Sequence, residues 1–250
     1  MTKALEGKTA LVTGASRGIG RAIARRLAAD GATVIAHYGR NRDAAESLVS
    51  EIETAGGRAT AVEADLETVD GVERLAAETA RLVGDRSLDI LVNNAGVAEF
   101  APLGDTDAAS IDRQLAVNVR APLLLTAKLA ERMPEGGSVI LLGSVVATRH
   151  FPALAAYAAT KGAVHTLAIH LAAELGPRGV RVNAVAPGAI DTDMSAWLRS
   201  DEGAATALGI QALQRVGEAE DVARVVAFLA GPDAGWVTGQ TIDASGGSKL

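Results

Sequence analysis

The stretch Thr13-Gly14-Ala15-Ser16-Arg17-Gly18-Ile19-Gly20 decides how this chain folds. It follows the short aliphatic segment Thr9–Thr13 and opens into an Ala-rich segment with charges at helical spacing. Glycines spaced Gly-x-x-x-Gly-x-Gly let a backbone turn tightly and approach a bound phosphate. The free N–H groups and positive dipole of the following helix favour an anion. At a first strand-to-helix junction, this pattern predicts a dinucleotide-binding loop.

Outward from this loop, short apolar segments alternate with longer Ala-rich segments. The apolar segments are nearly continuous, which is typical of parallel strands covered on both faces. The alternation predicts an α/β fold with a doubly wound, seven-stranded parallel sheet of Rossmann type, in a single domain over residues 1–250. The predicted strands are Thr9–Thr13, Thr33–His37, Ala59–Glu63, Asp89–Val92, Ser138–Leu142, Arg181–Ala186 and Gln240–Asp243. The predicted helices are Ile19–Asp30, Arg42–Ala55, Val69–Leu82, Asp107–Arg132, Ala153–Leu175 and Ala219–Ala230.

One segment breaks the regular alternation. Residues 191–216, between the sixth strand and the last helix, are weakly patterned and contain glycine. We predict a small helical lid there. Trp197 lies in it, where a large apolar side chain can cover a substrate or pack against the core or an interface.

Composition excludes several classes of protein. The chain has no cysteine, so disulfides, thiolate metal sites and cysteine nucleophiles are absent. A net charge of −6 without a long basic run argues against nucleic-acid and anionic-membrane partners. Long uncharged apolar runs and a signal-like start are also missing, so we expect no membrane span and a cytoplasmic protein. No metal site is expected, since His150, His165 and His170 lack partners at ligand spacing.

The end of the second strand bears on the choice of nucleotide. An NAD-selective site usually has an acid there for the adenosine ribose. Here the strand runs into His37-Tyr38-Gly39-Arg40-Asn41-Arg42, and we place His37 where that acid would repel a 2′-phosphate. Arg17, with Arg40 or Arg42, could pair with the phosphate. This pattern predicts NADP(H) and leaves Arg40 and Arg42 undistinguished.

A tyrosine and a lysine form the candidate catalytic pair. Tyr157 and Lys161 are spaced i, i+4, so they share one face of a predicted helix. An adjacent ammonium lowers the pKa of a phenol, which can then exchange a proton with a carbonyl oxygen. Ser144, at the end of the fifth strand, could hydrogen-bond the same oxygen. The alternative for an isolated Tyr-x-x-x-Lys is a packing tyrosine beside a surface lysine.

Taken together, the motifs resemble those of the short-chain dehydrogenase/reductase family, in its single-domain form of about 250 residues. The resemblance covers the whole chain and is closest to the 3-oxoacyl-carrier-protein reductases. The matching motifs are Thr13-Gly14-x-x-x-Gly18-x-Gly20, Asp65, Asn93-Asn94-Ala95-Gly96, Asn118, Ser144, Tyr157-x-x-x-Lys161 and Pro187-Gly188-x-x-x-Thr192.

The resemblance implies a role for each motif residue. Tyr157 would be the general acid–base, and Ser144 would polarise the carbonyl. Lys161 would bind the nicotinamide ribose and lower the pKa of Tyr157, while Asn118 would hold a water leading to Lys161. For Asn93, bracing of the backbone remains an open alternative. The implied cofactor-binding residues are Gly14, Ser16, Arg17, Gly18, Ile19, Gly20, Tyr38, Arg40, Asp65, Leu66, Asn93, Ala95, Gly96, Tyr157, Lys161, Pro187, Gly188, Ile190 and Thr192.

The expected reaction is hydride transfer between NADP(H) and a small carbonyl compound or secondary alcohol. One alternative is a 3-oxoacyl-carrier-protein reductase that docks an acidic carrier protein through Lys128, Arg132 and Arg178, although the net charge opposes this. An alternative of another class is a non-catalytic NADP-binding sensor, which would have no reason to keep the catalytic set. The family also implies a homotetramer, assembled through the helices after the fourth and fifth strands and through the C-terminal end.

Overall fold

The computed structural model describes residues 3–250 and contains one seven-stranded sheet. The strand order is β3-β2-β1-β4-β5-β6-β7, and all neighbouring strands are parallel. The predicted doubly wound fold is therefore confirmed. The strands are β1 Thr9–Val12, β2 Thr33–Tyr38, β3 Arg58–Glu63, β4 Ile90–Asn93, β5 Ser138–Leu142, β6 Arg181–Pro187 and β7 Thr241–Ala244.

Helices cover both faces of the sheet, which explains the continuous apolar strands. Val12 packs in the core layer shared with Ile23 and Val226, whereas its neighbour Leu11 packs with Leu75 and Leu125 on the opposite face. In residues 3–250, no helix is long and apolar enough to cross a membrane. The helices are α1 Gly18–Ala29, α2 Arg42–Thr54, α3 Val69–Val83, α4 Ala108–Leu115, α5 Ala121–Leu129, α6 Ala155–Leu175, α7 Asp201–Ile210 and α8 Ala219–Ala230.

The segment predicted as one helix, Asp107–Arg132, is interrupted. A π-helical turn, Ala116–Arg120, separates α4 from α5, and the N–H of Ala121 donates to the carbonyl of Ala116. Pro122 lies two residues after this turn and has no N–H to continue a regular helical hydrogen-bond pattern. Apolar periodicity does not detect such an inserted turn, and π turns are frequent at functional sites.

The predicted lid is a helical excursion whose two ends meet. It consists of a 3₁₀ segment, Asp193–Arg199, followed by α7. The N–H of Asp191 donates to the carbonyl of Gly217 at 2.9 Å, and the N–H of Gly217 donates to the carbonyl of Ala189 at 3.1 Å. The lid therefore leaves and rejoins the domain at one point beyond the end of β6.

A buried hydroxyl joins the loops that follow β1 and β4. Thr13 Oγ1 accepts the N–H groups of Asn94 and Ala95, both at 2.9 Å, and donates to the carbonyl of Val92. The Asn94 amide reaches back to the carbonyls of Thr13 and Gly14 at 2.8 and 3.2 Å. A Cβ at Gly20 would lie 2.2 Å from the Gly14 carbonyl oxygen, so only glycine permits this approach. We call this arrangement the Thr13 clamp.

Replacing Thr13 tests the clamp. Thr13→Val leaves the N–H groups of Asn94 and Ala95 without their acceptor, and each such buried group costs about 1–3 kcal/mol. We expect the free energy of unfolding in urea to fall by at least about 2 kcal/mol. Thr13→Ser keeps the hydroxyl and is expected to lose much less. A loss in Thr13→Val no larger than that in Thr13→Ser would show that the hydroxyl does not carry the effect.

Candidate active site

The site lies where the strand order reverses between β1 and β4. In parallel sheets of this type, ligands bind at the carboxyl ends of the strands beside such a switch point. Four strands bring their following residues to this edge: β1 the glycine loop, β4 Ala95 and Gly96, β5 Ser144, and β6 Pro187 and Gly188. Tyr157 and Lys161 reach the same edge from α6.

The glycine loop is shaped for an anion. Gly14 and Gly18 have φ values of +64° and +54°, which favour glycine. Helix α1 begins at Gly18, its preceding Arg17 side chain caps nothing, and its first turn holds no acid. Helices α2, α3 and α4 all begin with a side-chain cap. The first N–H groups of α1 are therefore available to a phosphate.

The lid touches the glycine loop at two places. A Cβ at Gly18 would lie 3.3 Å from the Thr192 methyl group, so the two segments are in close contact. Arg17 forms an exposed ion pair with Asp193 at 3.4 Å. The Thr192 hydroxyl shares a hydrogen bond with Ser195 at 3.0 Å, which begins the 3₁₀ segment. The cofactor crevice is thus bordered by the loop on one side and the lid on the other.

The prediction that His37 lies where an acid would repel the 2′-phosphate is wrong. His37 is buried, its Nδ1 accepts the N–H of Gly14 at 3.0 Å, and its Nε2 donates to the carbonyl of Ala64 at 3.0 Å. Burial lowers the pKa of His37 to about 4, against a weaker raising effect of the Ala64 hydrogen bond. The neutral ring supports the glycine loop from below and does not face a 2′-phosphate. β2 continues to Tyr38, so its end was placed one residue too early.

Arg40 and Arg42, which the sequence does not distinguish as partners of a 2′-phosphate, differ in their ion pairs. Arg42 begins α2 and pairs with Glu63 at 3.3 Å and Glu46 at 3.6 Å. Arg40 is exposed on the preceding loop, with only a 4.0 Å contact to Glu67. Tyr38 is buried and donates to Glu63 at 3.2 Å. Arg40 is therefore the freer cation at this end of the crevice.

The residues after β3 and β4 divide between crevice and core. Asp65 is exposed beside the crevice and accepts the N–H of Glu67 at 2.9 Å, whereas Leu66 is buried. The side chain of Asn93 is also buried and donates to Thr126 at 3.3 Å. The side-chain amide of Asn93 therefore braces α5.

Ser144, Tyr157 and Lys161 converge at the end of β5. Ser144 lies two residues after the end of β5, its Oγ accepts the N–H of Val146 at 3.3 Å, and it lies near enough to Tyr157 to lower the pKa of that phenol. The ammonium of Lys161 lies 5.5 Å from the centroid of the Tyr157 ring. It donates to the carbonyl of Leu142 at 2.7 Å and is buried. One phenol is thus flanked by a hydroxyl and an ammonium, as the i, i+4 spacing predicts.

Burial sets the protonation of the pair. It raises the pKa of Tyr157 to about 12, although the Ser144 hydrogen bond acts in the opposite direction. It also lowers the pKa of Lys161 to about 8. In the chain by itself, desolvation therefore leaves the pKa of Tyr157 above its ordinary value, whereas the i, i+4 spacing predicted a lowering by Lys161. At neutral pH the site holds a protonated phenol beside an ammonium.

Asn118 lies in the π turn and is held tightly. Its Oδ1 accepts the N–H of Val97 at 2.9 Å, and its Nδ2 donates to the carbonyl of Val97 at 2.8 Å and to Thr160 at 3.0 Å. Gly96 permits this crowding, since a Cβ there would lie 3.3 Å from Asn118 Oδ1 and 3.5 Å from Lys161 Nζ. Both amide hydrogens are used, so a water would have to use the remaining acceptor positions of Asn118. Sequence reasoning missed Thr160, whose partner lies 42 residues away.

Comparisons with known proteins agree with this geometry. A family model described as enoyl-(acyl carrier protein) reductase matches residues 14–249. The structure of the angucycline C-6 ketoreductase LanV with bound NADP superposes with a TM-score of 0.95 at 42% identity, covering 100% of this chain and 98% of that one. A short-chain dehydrogenase from Burkholderia cenocepacia in complex with NADP gives 0.94 at 42% identity, with 99% and 100% covered. A hydroxynaphthalene reductase of Aspergillus fumigatus is 39% identical over 248 residues, 94% of this chain and 90% of that protein.

The doubly wound parallel sheet and the site at its edge together define a dinucleotide-binding oxidoreductase of Rossmann type. The chain belongs to the short-chain dehydrogenase/reductase family, as its sequence motifs indicated. Within residues 3–250, no cluster of three or more His, Asp or Glu side chains is arranged to hold a metal ion.

The buried His37 predicts a pH dependence of stability. Between pH 6.5 and about 4 the unfolded chain binds a proton at His37 that the folded protein refuses, so stability falls as pH falls. This one group contributes about 1.4 kcal/mol per pH unit to the slope. His37→Asn keeps an acceptor for the Gly14 N–H but does not titrate, so its unfolding free energy should depend less steeply on pH. His170→Asn, at an exposed site, should keep the wild-type slope. If the two variants behave alike, the buried ring does not cause the dependence.

Proposed function

We propose that this protein reduces a ketone or aldehyde to an alcohol with NADPH. The observation that carries the proposal is the convergence of Ser144, Tyr157 and Lys161 beside an uncapped, glycine-lined helix start. A nucleotide-binding protein without catalysis does not require a half-buried phenol and a buried ammonium at this place. The solved relatives with bound NADP support the same nucleotide.

The crevice fits such a cofactor. The N–H groups at the start of α1, with Ser16, Gly18 and Ile19, would hold the pyrophosphate. Arg40 and Arg17 would meet the 2′-phosphate, and Asp65 the adenine side. Gly96, Lys161 and the segment from Pro187 to Thr192 would border the nicotinamide end. When bound, NADPH supplies the hydride that reduces the carbonyl carbon.

The side chains of the chain manage the proton. The Ser144 hydroxyl and the Tyr157 phenol both donate to the carbonyl oxygen and polarise it. The phenol then gives its proton to that oxygen as negative charge develops there. Lys161 is mainly an ammonium at neutral pH, given its pKa of about 8, and it stabilises the resulting phenolate. Burial keeps Tyr157 protonated until this step, which suits reduction.

A small apolar ketone fits this site better than an acyl carrier protein. Phe100, Met194 and Trp197 are partly exposed on the two segments that flank the crevice, the loop after β4 and the lid. Two relatives are named for a hydroxynaphthalene and for an angucycline ketone. The basic residues considered for carrier docking have other partners. These are Lys128 with Glu73, Arg132 with the Gly84 carbonyl, and Arg178 with the Ala130 and Met133 carbonyls.

A homotetramer is the assembly we propose. Leu115 and Leu123 lie exposed on α4 and α5, and Ile169 lies exposed on α6. Phe228 on α8 and Trp236, which precedes β7, are also exposed. Large apolar side chains exposed on several elements support burial against further copies of the chain.

Removing one hydroxyl tests the mechanism. Tyr157→Phe deletes the proton donor and keeps the ring, so turnover should fall by about 10²-fold or more. NADPH affinity, followed by nucleotide fluorescence, should remain close to that of the wild type. The assay is a panel of ketones with NADPH, followed at the nicotinamide absorbance. Wild-type turnover in the Phe variant would refute Tyr157 as the proton donor.

Cofactor preference distinguishes the arginines. Arg40→Ala and Arg17→Ala should each lower the ratio of kcat/KM with NADPH to that with NADH by about three- to tenfold, since exposed charge pairs are moderately strong. Arg42→Ala is the matched control and should change the ratio by less than about twofold, because Arg42 pairs with Glu63 and Glu46. A wild type that prefers NADH would contradict the assignment. A larger effect at Arg42 than at Arg40 would show that the 2′-phosphate has been assigned to the wrong arginine.

Mass measurement in solution tests the assembly. Light scattering of the wild type should give four chains per particle. Trp236→Arg places a charge at one of these exposed apolar positions and should give dimers, because the apolar side chains on α4, α5 and α6 remain. A monomeric wild type would refute the proposal.

A further inference from the structure

The hydroxyl of Thr160 occupies a central place between the catalytic side chains. Thr160 lies on α6 between Tyr157 and Lys161 and is 2% exposed. Its Oγ1 donates to the carbonyl of Tyr157 at 2.7 Å and accepts Asn118 Nδ2 at 3.0 Å. The hydroxyl therefore connects the helix that carries the proton donor to the π turn that carries Asn118.

Thr160 supplies one of three contacts that fix the Asn118 amide. The other two are both with the backbone of Val97, at 2.9 and 2.8 Å. Without Thr160 Oγ1, one amide hydrogen of a fully buried side chain would lose its partner, and the amide could rotate about the Val97 contacts.

The position of this amide matters for Lys161. Asn118 Oδ1 and Lys161 Nζ both lie against Gly96, at 3.3 and 3.5 Å from the point that a Cβ there would occupy. The π turn holds Asn118 on one side of Gly96, and α6 holds Lys161 on the other. Within this space, the contact between Thr160 and Asn118 is the hydrogen bond that joins the two elements.

We propose that Thr160 is a positioning residue for carbonyl reduction, because its hydroxyl sets the Asn118 amide relative to the ammonium of Lys161. This inference rests on the function proposed above. Thr160 would contact neither the substrate carbonyl nor the nucleotide, and it would act only through Asn118 and α6.

A helical threonine often bonds to a preceding carbonyl, so that feature alone is uninformative. Thr166, on the same helix, shows the ordinary case: its hydroxyl donates to the Gly162 carbonyl at 3.3 Å, and the residue is exposed. Thr166→Val therefore removes a back-bond without removing a link to another element, which makes it a matched control for Thr160→Val.

The experiment compares Thr160→Val, Thr160→Ser and Thr166→Val. We expect Thr160→Val to lower kcat about tenfold, since small displacements of reacting groups are costly, with the KM for NADPH within about twofold. Thr160→Ser should restore most of the activity, and Thr166→Val should resemble the wild type. In Asn118→Ala, adding Thr160→Val should cost little more, because the partner is already absent.

A second measurement is independent of turnover. In the protein without nucleotide, NMR of the Asn118 carboxamide protons should show one resonance displaced in Thr160→Val and retained in Thr160→Ser. Full activity of Thr160→Val, additive effects with Asn118→Ala, or unchanged carboxamide resonances would each overturn the role. A wild type that reduces no ketone would refute the proposed function and this role together, whereas an active wild type with a fully active Thr160→Val would refute the role alone.

Discussion

The arrangement of the site depends on the hydroxyl of Thr13. It binds two successive N–H groups after β4, and the Asn94 amide binds two successive carbonyls after β1. The glycine loop and the loop after β4 are therefore one unit. From Gly96 and Val97 the same backbone leads to Asn118. The two halves of the site are held in register by a few buried hydrogen bonds, which explains why glycine is needed where the segments cross.

Burial acts on three titratable groups, each with a different use. It keeps His37 neutral, so that one ring nitrogen accepts from the glycine loop while the other donates to β3's following residue. It keeps Tyr157 protonated and brings the pKa of Lys161 near neutrality. The first effect supports structure, and the other two prepare a proton donor with a removable positive charge beside it. The same physical cause thus serves both the scaffold and the chemistry.

Much of this organisation is predictable from the sequence. Local patterns determine the strands and the glycine turn, and the spacing of Tyr157 and Lys161 places them on one helix face. The incorrect or missing predictions concern the direction of side chains and contacts between residues far apart in the sequence. Side chains alternate along β2, so an error of one residue at its end misplaced His37 in the crevice. The contact of the Asn93 amide with Thr126 in the core is one that no local pattern predicts. The Asn118–Thr160 contact joins elements that no local pattern relates.

The closed base of the lid has a consequence for how such a chain can diversify. Because Asp191 and Gly217 are hydrogen-bonded neighbours, everything between them forms a loop that contributes no strand to the sheet. The entropy cost of closing a loop grows only slowly with its length, so insertions or replacements there cost little in stability. This one segment can therefore be exchanged between related scaffolds while the elements that carry Ser144, Tyr157 and Lys161 stay unchanged.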